Sequence, residues 1–258
     1  MKKSLLILFT LFMVACGSEK GSKISKKSHL PVARGSANVI LAVMDTNQWN
    51  GPIGDALKDI FAESVPGLPQ DEPYFKIRNI NPLKMNNILK SGKSMIFVST
   101  LNNRGRQSTA MRKYFTPSSL EKIKNDTSLY KLTQKDMFAR GQEIVHLFGQ
   151  TEAQLIHHLK VNKSLLRNYF LQIENKRLSK SLFKVREKQI EKNLEEQRGF
   201  TFNIPYGYDL AKSEKNFVWL RQLDPEYEKD VFVYFKPFDS QEPFEDVMAY
   251  REEITAKY

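Results

Sequence analysis

The run "VILAVM" (Val39–Met44) constrains the fold more than any other stretch of the chain. Its consecutive apolar residues leave no polar face to turn toward water, so they suit a strand covered on both sides. "NQWNGPIGDALKDIFAES" follows at once, with Asn50 placed to cap a helix and Pro52 in its first turn. Ile53, Leu57, Ile60 and Phe61 recur at helical spacing, which predicts an amphipathic helix laid against that strand.

Further along, "VPGLPQDEP" holds three prolines and reads as a loop. "YFKIRNI" (Tyr74–Ile80) alternates as a half-buried strand does, and "SMIFVSTL" (Ser94–Leu101) reads as a more buried one. "LNNRGRQST" reads as a basic, flexible loop, and "TPSSLEKIKN" as a short helix opened by Pro117. Leu129–Phe148 supports one strand or two. Residues 151–198 are mostly helical, with Leu155, Leu159, Leu166, Phe170 and Ile173 within about 60° of one another around the axis. Leu178, Leu182 and Val185 fall roughly 120–180° away, so a kink, a break or a second packing layer is expected near Asn175. "FTFNIPYGYDL", "NFVWLRQL" and "VFVYFKPF" are strand-like, the last two forming an antiparallel hairpin across "DPEYEK", and "EPFEDVMAYREEITAKY" is helical. This order predicts an α+β fold with a largely antiparallel sheet, packed helices and a long, kinked or broken central helix. The folded part is expected over 38–258, either as one domain or as subdomains of about 38–150 and 151–258. With 17 Phe and 10 Tyr in 258 residues, there is ample apolar surface for such cores.

The N-terminus differs from everything after it. "MKKSLLILFTLFMVA" (residues 1–15) pairs two lysines with an apolar run, the pattern of a secretory signal, and is too short for a permanent bilayer span. Met13-Val14-Ala15-Cys16, followed by Gly17, resembles a bacterial lipoprotein signal, although Met13 stands where such signals usually carry Leu. The resemblance implies cleavage before Cys16 and lipid attachment to its sulfur. Several acyl chains would then hold the protein firmly, since one alone binds only marginally. Residues 16–37, rich in Ser, Gly and Lys, are expected to form a flexible tether. Cys16 is the only cysteine, so no disulfide can form within the chain. The net charge is +11, or +9 once Lys2 and Lys3 leave with residues 1–15. Acids interleave with these bases and no recognition signature accompanies them, so nucleic acid is not an expected partner.

Candidate chemistry is sparse. Gly92-Lys93-Ser94 mimics the tail of a phosphate-binding loop, but Asn87 stands where the motif needs glycine and a strand follows where it needs a helix. His157 and His158 are adjacent and point to different helix faces, so they do not form a metal-chelating pair. No metal or cofactor is expected, and no catalytic motif stands out. Asp45 follows the first buried strand, and polar residues at strand ends commonly line ligand crevices in sheets flanked by helices. Asp45, Trp49 and Asn50 are therefore the candidate ligand-binding residues, Trp49 offering a stacking face. The competing reading gives Asp45 and Asn50 to turn and cap, with Trp49 stapling the helix to the sheet.

"WNGPIGDALKDIF", "GLPQDEPYFKI", "IPYGYDLAK", "NFVWLRQ" and "YREEITAKY" resemble an uncharacterised Bacteroidetes-type lipoprotein family, a domain of unknown function, over most of residues 38–258. The resemblance implies lineage and envelope location, and no activity. It also implies relatives that continue past the position of Tyr258, so residues completing a site would then lie beyond this chain. The expectation is a lipid-anchored cell-envelope protein, on the outer membrane, that acts by binding an envelope protein or glycan. The alternative is an enzyme acting on an envelope polymer through acidic residues such as Asp45.

Overall fold

The structure is a computed structural model in which residues 29–68, 70–225, 228–235, 237 and 247–257 are described. The expected signal segment, Cys16 and the expected tether through residue 28 lie outside the described residues. No described helix is long and apolar enough to cross a membrane. The chain forms two compact units, one through Arg167 and one from Asn168.

In the first unit the three most apolar runs become adjacent strands. These are β1 (Val39–Val43), β3 (Ser94–Thr100) and β5 (Glu143–Gly149), flanked by β2 (Lys76–Ile80) and β4 (Lys131–Lys135) in the order β2-β1-β3-β5-β4. Pairings β1–β2, β1–β3 and β3–β5 are parallel, and only β4–β5 is antiparallel. The α+β class holds, but a largely antiparallel sheet does not describe this unit. The physical reason lies in the apolar runs themselves. Every residue of β3 and β5 is buried, which requires cover on both faces, and crossover helices supply that cover for parallel strands.

One face carries Val43, Met95, Phe97 and Ile144, packed against Met111 of α4 (Arg106–Arg112), with Met85, Tyr114 and Phe138 at the margin. The alternate residues Ile40, Ala42, Met44, Ile96, Val98, Val145 and Leu147 are equally buried on the opposite face. There α2 (Pro52–Phe61) packs on α6 (Glu152–Val161), and α6 packs on β5. The predicted amphipathic helix is thus α2, whose buried residues include Ile53, Leu57, Ile60 and Phe61. Before it comes the single turn α1 (Thr46–Trp49). Gly54 allows the joint between them, because a Cβ there would lie 1.7 Å from the Trp49 carbonyl oxygen.

Residues 30–34, at the end of the stretch expected to be a tether, are hydrogen-bonded to this unit. Arg140 N–H donates to Pro31 O (2.7 Å), Ala33 N–H to Arg140 O (2.9 Å) and Arg34 N–H to Ser91 O (2.8 Å). The Gly92-Lys93-Ser94 stretch is a turn entering β3, held by the buried Gln142 amide, which donates to Lys90 O and Gly92 O at 2.7 Å each. Short helix α3 (Asn87–Lys90) precedes that turn, and α5 (Pro117–Asn125) opens with Thr116 as its cap and Pro117 at its first position.

The long helical region breaks at Asn162, which caps α6, and again after Leu182. Between the breaks α7 (Lys163–Leu182) runs through Asn175 without interruption and carries the boundary between the two units. Leu155, Leu159, Leu166 and Phe170 are buried, whereas Leu178, Leu182 and Val185 are exposed, so the second stripe makes no core. At the start of α7, Lys163 reaches Asp59 (2.9 Å) and Glu63 (3.2 Å), and Arg167 pairs with Glu63. These two cations hold the Glu63 carboxyl below its usual range.

The second unit has an antiparallel sheet, β6-β7-β8, from Asp209–Glu214, Phe217–Leu223 and Glu228–Tyr234. The expected hairpin is β7–β8, with Val218 opposite Val233 and Leu220 opposite Val231. Leu194 of α8 (Lys188–Arg198) packs with Ile204, Val218 and Leu220 to form the core. Helix α9 (Val247–Thr255) lies within the segment predicted to be helical.

Candidate functional site

The strand order places a topological switch point between β1 and β3. The connection from β1 leads to β2 on one side, and the chain then returns past β1 to build β3 and β5 on the other. Loops leaving the carboxyl ends of such strands diverge to opposite faces of the sheet and leave a crevice between them. Here the loops are Met44–Asn50 after β1 and Leu101–Gly105 after β3, and two cavities open on either side of the second.

The first cavity, about 380 Å³, is lined by Asn47, Gln48, Gly51, Pro52, Asn102, Asn103 and Glu152. Gln48 is the deeply buried member of this lining, only 5% exposed. Its amide nitrogen donates to Thr100 Oγ1 (2.9 Å) and Glu152 Oε1 (3.1 Å), which fixes the orientation of the side chain. Its carbonyl oxygen, Oε1, is buried without a hydrogen-bond partner. Leaving a buried acceptor unsatisfied costs roughly 1–3 kcal/mol.

The second cavity, about 510 Å³, is lined by Leu101, Asn102, Arg104, Arg112, Leu120, Lys124 and Gln150. Arg112 is oriented by Leu101 O (3.1 Å), Asn103 O (2.7 Å) and Thr109 Oγ1 (3.3 Å). Gln150 donates to Ile123 O and Lys124 O, tying the end of α5 to the wall. Asn102 lines both cavities.

Asp45 stands at the carboxyl end of β1, 5% exposed. Its Oδ1 accepts from Asn47 N–H (2.9 Å) as the cap of α1, and its Oδ2 accepts from the Ser108 hydroxyl (3.3 Å). Both oxygens are thus engaged in holding the β1 loop against α4. Gly105 comes so close that a Cβ there would lie 3.2 Å from Asp45 Oδ2. Trp49 is half-buried with the Lys58 ammonium 5.1 Å from its ring centre, and Asn50 is the C-cap of α1. Asp45 therefore frames the crevice, whereas Trp49 and Asn50 serve the α1–α2 joint and line neither cavity.

Sequence reasoning missed Gln48, Asn102, Arg104, Arg112, Lys124 and Glu152. The usable signal was "LNNRGRQ" directly after a fully buried strand, the same placement that drew attention to Asp45. Helix α4 begins inside that stretch, so the flexible part is shorter than the sequence suggests.

His146 on β5 is 4% exposed and packed edge-on against Phe97 (5.2 Å between ring centres) and Phe115 (5.1 Å). Burial lowers its pKa to about 4, and its Nδ1 has no partner. His158 stacks on Tyr130 at 4.9 Å and contacts Thr127 O at 2.9 Å. Among the described residues no group of three or more His, Cys, Asp or Glu could hold a metal ion.

The fold and crevice define the first unit as a sheet with helices on both faces and a polar cleft at its switch point. The chain belongs to the family described as Domain of unknown function (DUF8532), matched over residues 33–183. Residues 187–258 match a second family, Domain of unknown function (DUF4837). No curated protein and no solved structure matches the chain.

Proposed function

We propose that this protein is a ligand-binding module, held at a bacterial envelope membrane by a lipid on Cys16, and that it binds through the crevice above β1 and β3. Gln48 carries the binding reading: a fixed, buried amide in the lining of an open polar cavity, whose carbonyl lacks a donor among the described residues. A ligand hydroxyl or ammonium group donating to Gln48 Oε1 supplies the missing bond, with Glu152 and Asn103 alongside. Acid–base catalysis by Asp45 is the weaker reading, because both its oxygens are already engaged in capping and loop support.

The anchor rests on the sequence around Met13–Gly17 and the polar stretch after it, whereas the Bacteroidetes lineage and the outer-membrane location rest on the family resemblance of "WNGPIGDALKDIF", "GLPQDEPYFKI" and the later motifs. An envelope glycan or a protein displaying hydroxyl groups is the expected partner.

The binding test is a thermal-shift screen of the full chain against neutral sugars and amino sugars, repeated with Gln48→Met. Ligand-induced stabilisation in the wild type that disappears in the variant supports the reading. Equal shifts in both, or none in either, refute it. The location is checked separately by mass spectrometry of the mature N-terminus from the native host. Diacylglyceryl-modified Cys16 is expected, and an unmodified thiol overturns the anchor.

A further inference from the structure

The geometry points to an anion-binding arm in this same site, so that the ligand is a hydroxyl- or amino-bearing organic anion of the sugar-phosphate class. This rests on the binding reading above and extends it to the other side of loop 101–105. The two cavities share Asn102 and differ in chemistry. The Gln48 side offers acceptors, namely a partnerless carbonyl and the Glu152 carboxylate. The opposite side offers three cations, Arg104, Arg112 and Lys124, and no acidic residue lines it among the described residues.

Arg112 is the most telling of the three. Its guanidinium is half-buried and held in place by two backbone carbonyls and a threonine hydroxyl, so it brings a fixed positive charge to the wall, with no carboxylate paired to it among the described residues. A planar, pre-oriented guanidinium suits the oxygens of a phosphate or carboxylate. Arg104 is exposed at the rim and free to close over a bound anion. Lys124 contacts Glu121 at 3.5 Å, a solvent-exposed pair that a phosphate can readily displace. A donor-rich head against Gln48 and an anionic tail against Arg112, joined across Asn102, would use both cavities at once. A neutral polyol would leave the cationic side empty, and inorganic phosphate would leave Gln48 unpaired.

The test is calorimetric titration of the full chain with glucose, glucosamine, glucose 6-phosphate, glucosamine 6-phosphate and inorganic phosphate at low and high salt. Each phosphorylated sugar is expected to bind at least about tenfold more tightly than its parent at low salt, with the advantage shrinking as salt rises. In the double variant Arg104→Ala, Lys124→Ala the ratio of phosphorylated to parent affinity is expected to fall about fivefold or more. Gln48→Met is expected to weaken parent and phosphorylated sugars alike. Equal affinity of parent and phosphorylated sugars in the wild type overturns the anion arm and leaves the binding reading standing, as does a ratio untouched by the double variant. Binding of none of these probes overturns both.

Discussion

His146 gives the sharpest physical test of the first unit. Its imidazole packs against Phe97 and Phe115 on the sheet face covered by α4 and is 4% exposed, a setting that disfavours the charged ring. In the unfolded chain a histidine takes up a proton near pH 6.5, while burial lowers the folded value to about 4. Above pH 6.5 both states are neutral and the group has no pH-dependent effect. As pH falls below 6.5 the unfolded state binds the proton first, so stability is lost, and the loss is complete once pH drops below about 4. At about 1.36 kcal/mol for each tenfold change in proton affinity, the full loss is about 3 kcal/mol, most of it already gone at pH 5. The assay is urea unfolding from pH 7.5 to 4.5 on the wild type and on His146→Leu, an apolar replacement that cannot titrate. The difference between the two stabilities should change by about 2 kcal/mol between pH 7.5 and pH 5, in favour of the variant at acid pH. Parallel curves would refute the account, as would an imidazole NMR titration showing His146 protonated near pH 6.5 in the folded protein.

Other substitutions probe the joints around the crevice. Gly54→Ala forces a methyl group against the Trp49 carbonyl and should destabilise by roughly 3 kcal/mol, read as a lowered urea midpoint. Gln142→Leu removes two 2.7 Å bonds to Lys90 O and Gly92 O and should cost about 2–3 kcal/mol, with the turn before β3 losing amide-exchange protection. Asp45→Ala deletes the cap of α1 and the Ser108 contact. A loss of about 1–2 kcal/mol is expected, together with weakened ligand binding, because the β1 loop is no longer held against α4.

Much of the architecture was legible in the chain because it depends on local periodicity. The helical spacing and Pro52 of "WNGPIGDALKDIF" predicted α2, although its N-cap is Gly51 and the expected cap, Asn50, closes α1 instead; the Pro117 signal predicted α5, and the two apolar runs across "DPEYEK" predicted the β7–β8 hairpin. Helical spacing identified Leu155, Leu159, Leu166, Phe170 and Ile173 as one stripe, of which the first four are buried and Ile173 is half-buried. The expected antiparallel direction gave too little weight to the continuous apolar runs of β3 and β5, which suit parallel strands covered on both faces. The position of the helix break also differed. Asn162 ends α6 by capping it, a local event hidden within a stretch of continuous helical spacing.

The candidate site divides in the same way. Asp45 could be singled out because it follows an apolar run directly, and that adjacency is written in the sequence. Gln48, Asn102, Arg112, Lys124 and Glu152 come from five separate segments, and no spacing between them along the chain carries a signal. What the sequence determined by itself was the set of buried strands and amphipathic helices, since each is set by which side chains must leave water. What only the tertiary structure decided was that β1 and β3 lie side by side and parallel. That pairing brings two polar loops to one end of the sheet, where, among the described residues, the Gln48 carbonyl has no donor and the Arg112 charge has no paired carboxylate.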